Sequence, residues 1–206
     1  MEEWFLQKRY WTQSYRKIIM RIISGYFRGK KILEPKDNNT RPLKDLTKES
    51  IFNIINHSKK FSVTLNNSNI LDIFSGVGSF GLECLSRGVK NVTFIENYPS
   101  VLSILKKNLK DLKLTLNYEI IENDVYDENT FSKISKNFDI IFMDPPYKDK
   151  NFIKILKKIV INQILKKNGV IIIHRHKNEK DIFPSNFKII EEKKYGISKI
   201  YFLKII

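Results

Sequence analysis

The chain has 206 residues, 42% hydrophobic and 29% charged, which suits one globular domain with a small appendage. No apolar run approaches the roughly 20 residues that a membrane span needs, so a membrane partner is not expected. With 37 Lys and Arg against 22 Asp and Glu, the net charge is +15, and a polyanion such as nucleic acid is the expected partner.

The first 19 residues are aromatic and charged and read as an extension. They have neither the apolar core nor the cleavage site of a secretory signal. Met20 opens "MRIISGYFRGKKI", where residues 22–24 and 31–33 predict two short strands around a turn. A loop follows, "EPKDNNTRP". In "DLTKESIFNIINHS" the apolar residues Ile51, Ile54 and Ile55 have helical spacing, and Asp45 is placed to cap.

From residue 69 onward short β-branched runs alternate with amphipathic helices. "NILDIF", "NVTFIE", "NYEIIEND", "FDIIFM" and "GVIIIH" read as strands. Between them lie helices in "GSFGLECLSRG", closed by Gly88, in "PSVLSILKKNLKDL" and in "FIKILKKIVINQIL". Two final runs, "FKIIEEK" and "SKIYFLKI", are joined by a turn at Tyr195 and Gly196, too briefly for a crossover helix, and so pair antiparallel. The pattern predicts a doubly wound α/β fold whose mostly parallel sheet has one antiparallel strand near its end.

In such sheets ligands sit beyond the carboxyl ends of the strands. The first of these strands runs into "LDIFSGVGSFGLE", where Gly76, Gly78 and Gly81 form G-x-G-x-x-G between a strand and a helix. Gly76 allows a tight turn, and Gly78 allows a ligand to approach the backbone. Glu96 ends the next strand 20 positions after Gly76 and can accept from both ribose hydroxyls of a nucleoside. Asp124 ends the third strand, placed to reach an adenine. NAD and S-adenosylmethionine both carry an adenosine, and these features do not choose between them. Asp72, beside the glycines, would repel a pyrophosphate and favours an amino group or a sulfonium.

The fourth strand stops at Asp144-Pro145-Pro146-Tyr147. Proline has a fixed φ and no N–H, so the backbone is held extended. The Asp144 carboxylate and the Pro145 carbonyl become two acceptors beside the cofactor, suited to the two protons of an exocyclic base amine. Tyr147 offers a face on which that base can stack. Held this way, a delocalised amine turns its nitrogen toward an electrophilic methyl group. Orientation and preorganised acceptors supply most of the catalysis, and Asp144 can take the leaving proton.

In these motifs the chain resembles the amino-methyltransferases that carry (D/N)-P-P-(Y/F). It resembles most closely the RsmD family, over roughly residues 20 to 205. "MRIISGYFRGKKI", "RPLKDLTKESIFNII", "LDIFSGVGSFGLECLSRG" and "FDIIFMDPPY" carry the likeness together. It departs where Leu43 and Leu46 stand in a segment that usually runs Arg-Pro-Thr-x-Asp-Arg, and where "YGISK" replaces Tyr-Gly-Asp-Thr. The resemblance implies a Rossmann-like class I methyltransferase fold, with a mostly parallel seven-stranded sheet, one antiparallel strand and a small N-terminal β-hairpin. It implies an S-adenosylmethionine site at Asp72, Gly76, Gly78, Glu96 and Asp124, with Phe74 and Val125 beside them, and catalysis at Asp144, Pro145, Pro146 and Tyr147. The activity implied is methylation of the N2 amine of a guanine in small-subunit ribosomal RNA. The expected divisions are an extension over 1–19, a hairpin and loop over 20–44, and the methyltransferase domain over 45–206.

Arg21, Arg28, Lys30 and Lys31, interleaved with Tyr26 and Phe27, suit an RNA backbone and stacked bases, and Arg41 joins them as an RNA-binding candidate. Part of the charge is compositional, because the abundance of Lys, Asn and Ile is what AT-rich coding sequence produces. His174 and His176 form an H-x-H at a strand end, but no further ligand cluster joins them and no metal is expected. Cys84 reads as a packed helix residue, and as a lone cysteine it has no internal disulfide partner. A monomer in the cytoplasm is expected, acting on ribosomal RNA or an assembled ribosomal particle. Three alternatives remain: an adenine-N6 methyltransferase acting on DNA or RNA, an NAD-dependent oxidoreductase, and an RNA-binding module with a vestigial pocket.

Overall fold

The computed structural model describes residues 20–35, 43–60, 62–113 and 117–206. Seven strands form one sheet: β1 (Asn69–Ile73), β2 (Asn91–Ile95), β3 (Tyr118–Ile121), β4 (Phe138–Met143), β5 (Leu165–His176), β6 (Phe187–Tyr195) and β7 (Ser198–Ile205). Their order is β3-β2-β1-β4-β5-β7-β6. β1 to β5 pair in parallel, and β7 runs antiparallel to both β5 and β6. The single antiparallel strand expected from the short final connection is therefore β7. The chain leaves β1 to one side for β2 and to the other for β4, so a crevice opens above the carboxyl ends of these strands.

The helices cover both faces. α1 (Asp45–His57), α2 (Ser79–Ser86) and α3 (Pro99–Asp111) contribute to one core, and α4 (Phe152–Ile161) to the other. Strand residues alternate between the two: Ile140 and Phe142 join the first core, Ile141 and Met143 the second. The expected apolar faces are all buried, Leu102, Leu105, Leu109 and Leu112 along α3 and Phe152, Ile155, Leu156 and Ile159 along α4. Each such side chain contributes about 1.5–3 kcal/mol on burial. Among the described residues, no helix is long and apolar enough to cross a membrane.

Three local expectations are corrected. Asp45 does not cap α1. Lys44 holds the cap position without a side-chain bond, and the Asp45 carboxylate pairs instead with Arg21 at 3.2 Å and Lys48 at 3.6 Å. α4 stops at Ile161 rather than running on to Leu165. Gln163 adopts φ 51°, which no right-handed helix can contain, and Leu165 already opens β5. The two strands expected around residues 25–29 are absent, and a single antiparallel bridge joins Arg21 and Lys31. The expected extension 1–19 lies outside the described residues.

That N-terminal turn is fastened to α2 by polar groups. Glu83 is fully buried and accepts from the backbone N–H of Ile23 (2.8 Å) and of Ser24 (2.9 Å). Arg87 donates to the same carboxylate at 2.9 Å, and the buried Lys48 ammonium lies 3.9 Å away while donating to the Arg21 carbonyl. Ser86 bonds on both sides, accepting from Phe27 N and donating to the Ser24 carbonyl. A buried anion with three donors and an ammonium nearby is costly to lose singly, because its partners stay behind without it. Glu83→Ala is expected to lower unfolding stability by about 3–5 kcal/mol in urea denaturation. A loss below about 1 kcal/mol would mean that apolar contacts alone dock the turn.

Candidate active site

A cavity of about 840 Å³ opens at the carboxyl ends of β1, β2, β3 and β4. Asp72, Phe74, Gly76, Glu96, Asp124, Val125 and all four residues of Asp144-Pro145-Pro146-Tyr147 line it. Met20, Pro35 and Leu43, from the N-terminal segment, close one side.

The loop after β1 shapes the floor. Gly76 and Gly78 have φ of 56° and 85°, a region that side chains disfavour. Gly78 is not among the residues that line the cavity. A Cβ there would sit 2.5 Å from Leu105 of α3, so its close neighbour is a packed helix rather than a ligand. A Cβ on Gly81 would lie 2.2 Å from the Phe94 ring, so this glycine sets how closely α2 approaches β2. The N–H of Gly81 donates to Asp72 at 2.9 Å.

Asp72 is almost wholly buried. Burial pushes its carboxyl well above the usual carboxylate range, the Gly81 N–H works against that rise, and the nearby Asp144 and Glu96 add to it. Glu96 is held by three backbone donors, Gly76 N at 2.8 Å on one oxygen and Asn97 N (3.0 Å) and Tyr98 N (2.9 Å) on the other. A carboxylate has about four lone-pair sites, so one is left for a ligand hydroxyl rather than the two expected from the sequence. Asp124 accepts from Tyr126 N at 2.8 Å through one oxygen. Phe74 faces the Tyr126 ring at 6.0 Å. The Tyr126 hydroxyl bonds to Asp149 and so ties the loop after β3 to the loop after β4.

The Asp-Pro-Pro-Tyr segment is anchored from β5. His174 Nδ1 lies 2.8 Å from Asp144 Oδ1, and its Nε2 lies 2.9 Å from Ser198 Oγ of β7. Arg175, fully buried, donates to the Pro146 carbonyl at 3.1 Å and the Tyr147 carbonyl at 2.9 Å. Its Nε faces both oxygens of Asp181, and its guanidinium lies 4.4 Å from the Phe152 ring centroid. Asp149 N also donates to the Pro146 carbonyl. Among the described residues, nothing donates to the Pro145 carbonyl. Tyr147 meets His174 and His176 edge-on or tilted, at 5.7 and 5.3 Å between centroids.

The family described as "Conserved hypothetical protein 95" matches residues 20–204. The chain belongs to this family. It is 34% identical over 179 residues to "Ribosomal RNA small subunit methyltransferase D" of Haemophilus influenzae, covering 86% of this chain and 90% of that one. RsmD-family membership, expected from the motifs, is thereby established. A solved structure from Haemophilus influenzae is similar with a TM-score of 0.70 and 32% identity, over 90% of this chain and 97% of that one. One from Escherichia coli has a TM-score of 0.73 and 26% identity over the same shares.

In this RsmD-family chain the four basic candidates Arg21, Arg28, Lys30 and Lys31 are exposed on the N-terminal turn, with Lys30 Nζ 4.8 Å from the Phe27 ring centroid. Arg41 lies outside the described residues. Among the described residues, no group of three or more His, Cys, Asp or Glu could hold a metal. Sequence reasoning missed His174 as a partner of Asp144, although the H-x-H at the end of β5 was the signal. Arg175 gave no signal beyond an arginine inside an apolar strand.

A carboxyl whose pKa is raised by folding binds its proton more tightly in the folded state. Stability is then fullest below the ordinary value of 3.8 and falls as pH rises toward the folded value. Asp72→Asn keeps an acceptor for Gly81 and removes the titration. The variant is expected to be more stable than the parent at neutral pH, with the difference vanishing near pH 3, in denaturant titrations across pH. Arg175→Met leaves the buried Asp181 carboxylate without its cation and takes one donor each from the Pro146 and Tyr147 carbonyls, and is expected to cost about 3–5 kcal/mol in the same measurement.

Proposed function

We propose that the protein transfers a methyl group from S-adenosylmethionine to the exocyclic N2 amine of a guanine in small-subunit ribosomal RNA. The observation that supports this reading is that Asp144, bonded to His174 through one oxygen, and Pro145 line the same cavity as Asp72, Glu96 and Asp124. The substrate follows from family membership and the name of the Haemophilus influenzae relative.

The residues present fit S-adenosylmethionine. Glu96 has a lone-pair site for a ribose hydroxyl, and one oxygen of Asp124 is left for an adenine amine. Phe74 and Val125 supply apolar walls. Asp72 is a buried carboxyl that an amino group or sulfonium would stabilise in its charged form. Ser79, at the start of α2, has a buried hydroxyl on the cavity with no partner among the described residues. When bound, the cofactor supplies an electrophilic methyl group.

The chain's own residues hold the amine. Asp144 and the Pro145 carbonyl accept its protons, Asp144 takes the one that leaves, and Tyr147 supports the base. The base must be splayed from its stack to reach them. Arg21, Arg28, Lys30 and Lys31 neutralise phosphates, while Tyr26, 95% exposed beside them, is free to stack. Residues 20–44 thus serve as an RNA-contacting arm on the 45–206 domain, and a monomer suffices.

Labelled S-adenosylmethionine offered with small ribosomal subunits, naked ribosomal RNA and DNA tests this directly. Label is expected in the RNA, alone or as the particle, and digestion is expected to yield N2-methylguanosine. Label in DNA alone, or methyladenosine in the digest, would sink the assignment. Asp144→Ala is expected to bind S-adenosylhomocysteine like the parent but to turn over roughly 100-fold or more slowly. Normal turnover by that variant would remove Asp144 from the catalytic role.

A further inference from the structure

Two buried side chains that the reading above does not use, His174 and Ser198, form a line with the partly buried Asp144. Ser198 Oγ lies 2.9 Å from His174 Nε2, and His174 Nδ1 lies 2.8 Å from Asp144 Oδ1. His174 is 5% and Ser198 4% exposed, so water does not substitute for either partner. The directions of these bonds follow from chemistry. An ionised Asp144 only accepts, so the His174 proton in this pair sits on Nδ1. In a neutral ring Nε2 then has a lone pair, and the Ser198 hydroxyl donates to it. Every bond in the line donates toward Asp144.

We propose that His174 is a positioning residue for methyl transfer, holding Oδ1 of Asp144 so that Oδ2 is left to the substrate amine. The proposal rests on the methyltransferase reading given above. Aspartate has two torsions and two equivalent oxygens, and a carboxylate free to rotate would present its acceptor in the right place only part of the time. The neighbouring Asp72 carboxyl and Asp144 also disfavour each other's charge, and a donor on the far oxygen holds Asp144 in place. Arg175, the next residue along β5, holds the carbonyls of Pro146 and Tyr147, so one strand end fixes both the side chain and the backbone of the segment. The same order of Asp, His and Ser serves nucleophilic hydrolysis elsewhere, but Ser198 is buried and does not line the cavity, so it has no access to a substrate here.

Two variants separate positioning from plain structural support. His174→Ala removes the donor, whereas His174→Asn carries an N–H close to the place of Nδ1. We expect His174→Ala to lower kcat by about 10–100-fold with KM for S-adenosylmethionine and RNA within about twofold. His174→Asn is expected to recover about tenfold of that loss, although both variants lose the Ser198 contact and melt at similar temperatures. Equal kcat for the two variants, or a kcat like the parent's in His174→Ala, overturns the proposal. A second readout does not depend on turnover. In nitrogen-15 spectra of the parent protein the His174 ring is expected to carry its proton on Nδ1, with that signal protected from exchange and lost in Asp144→Ala. A ring protonated on Nε2 alone overturns the proposal, even if no methyl transfer is found, whereas a missing activity with the Nδ1 proton in place counts against the function alone.

Discussion

Asp72, Glu96 and Asp144 lie at the ends of three adjacent strands and open on one cavity, so the surrounding structure has to supply each carboxyl with donors. Two are held by backbone amides and the third by a ring. Asp72 takes the Gly81 N–H at the start of a helix, Glu96 takes three backbone amides, and Asp144 takes an imidazole. The glycines of the first loop are needed for the first two arrangements, and the buried end of β5 for the third. A protein of net charge +15 thus keeps a concentrated negative site within a positive exterior. That division suits a polyanion outside and a ligand with cationic groups inside.

Much of this was legible in the sequence, and the failures share a cause. Continuous apolar runs placed the parallel strands, because a strand covered on both faces needs apolar residues on both. The glycine loop and Asp-Pro-Pro-Tyr were visible because each motif sits within a few consecutive residues. His174, Arg175 and Ser198 were not, because their partners lie 24 to 30 positions away and only strand pairing brings them together. Asp45 failed as a cap because two basic side chains competed for its carboxylate. The end of α4 was hidden because the apolar pattern of the helix runs on unbroken into β5.

The buried charges act as fasteners more than as sources of stability. Glu83 joins the N-terminal turn to α2, and Arg175 joins the loop after β4 to β5. Apolar residues of similar volume could stabilise these places as well, but they would not fix which carbonyl or amide meets which. Both fasteners act on irregular backbone, where no ladder of strand bonds sets the geometry. The two segments they hold are the basic turn and the Asp-Pro-Pro-Tyr loop.

Among the described residues the sheet is open, so it ends in two edge strands. One edge, β3, is only four residues long. The other, β6, is nine residues long and could template a neighbouring chain. It carries Lys188, Glu191, Glu192, Lys193 and Lys194, and its register against β7 slips between Ile189 and Glu191. Adding a strand from a second molecule would bring like charges together and meet a twisted, irregular ladder. A short edge on one side and a charged, bulged edge on the other guard a highly apolar sheet against edge-to-edge aggregation, at positions remote from the cavity.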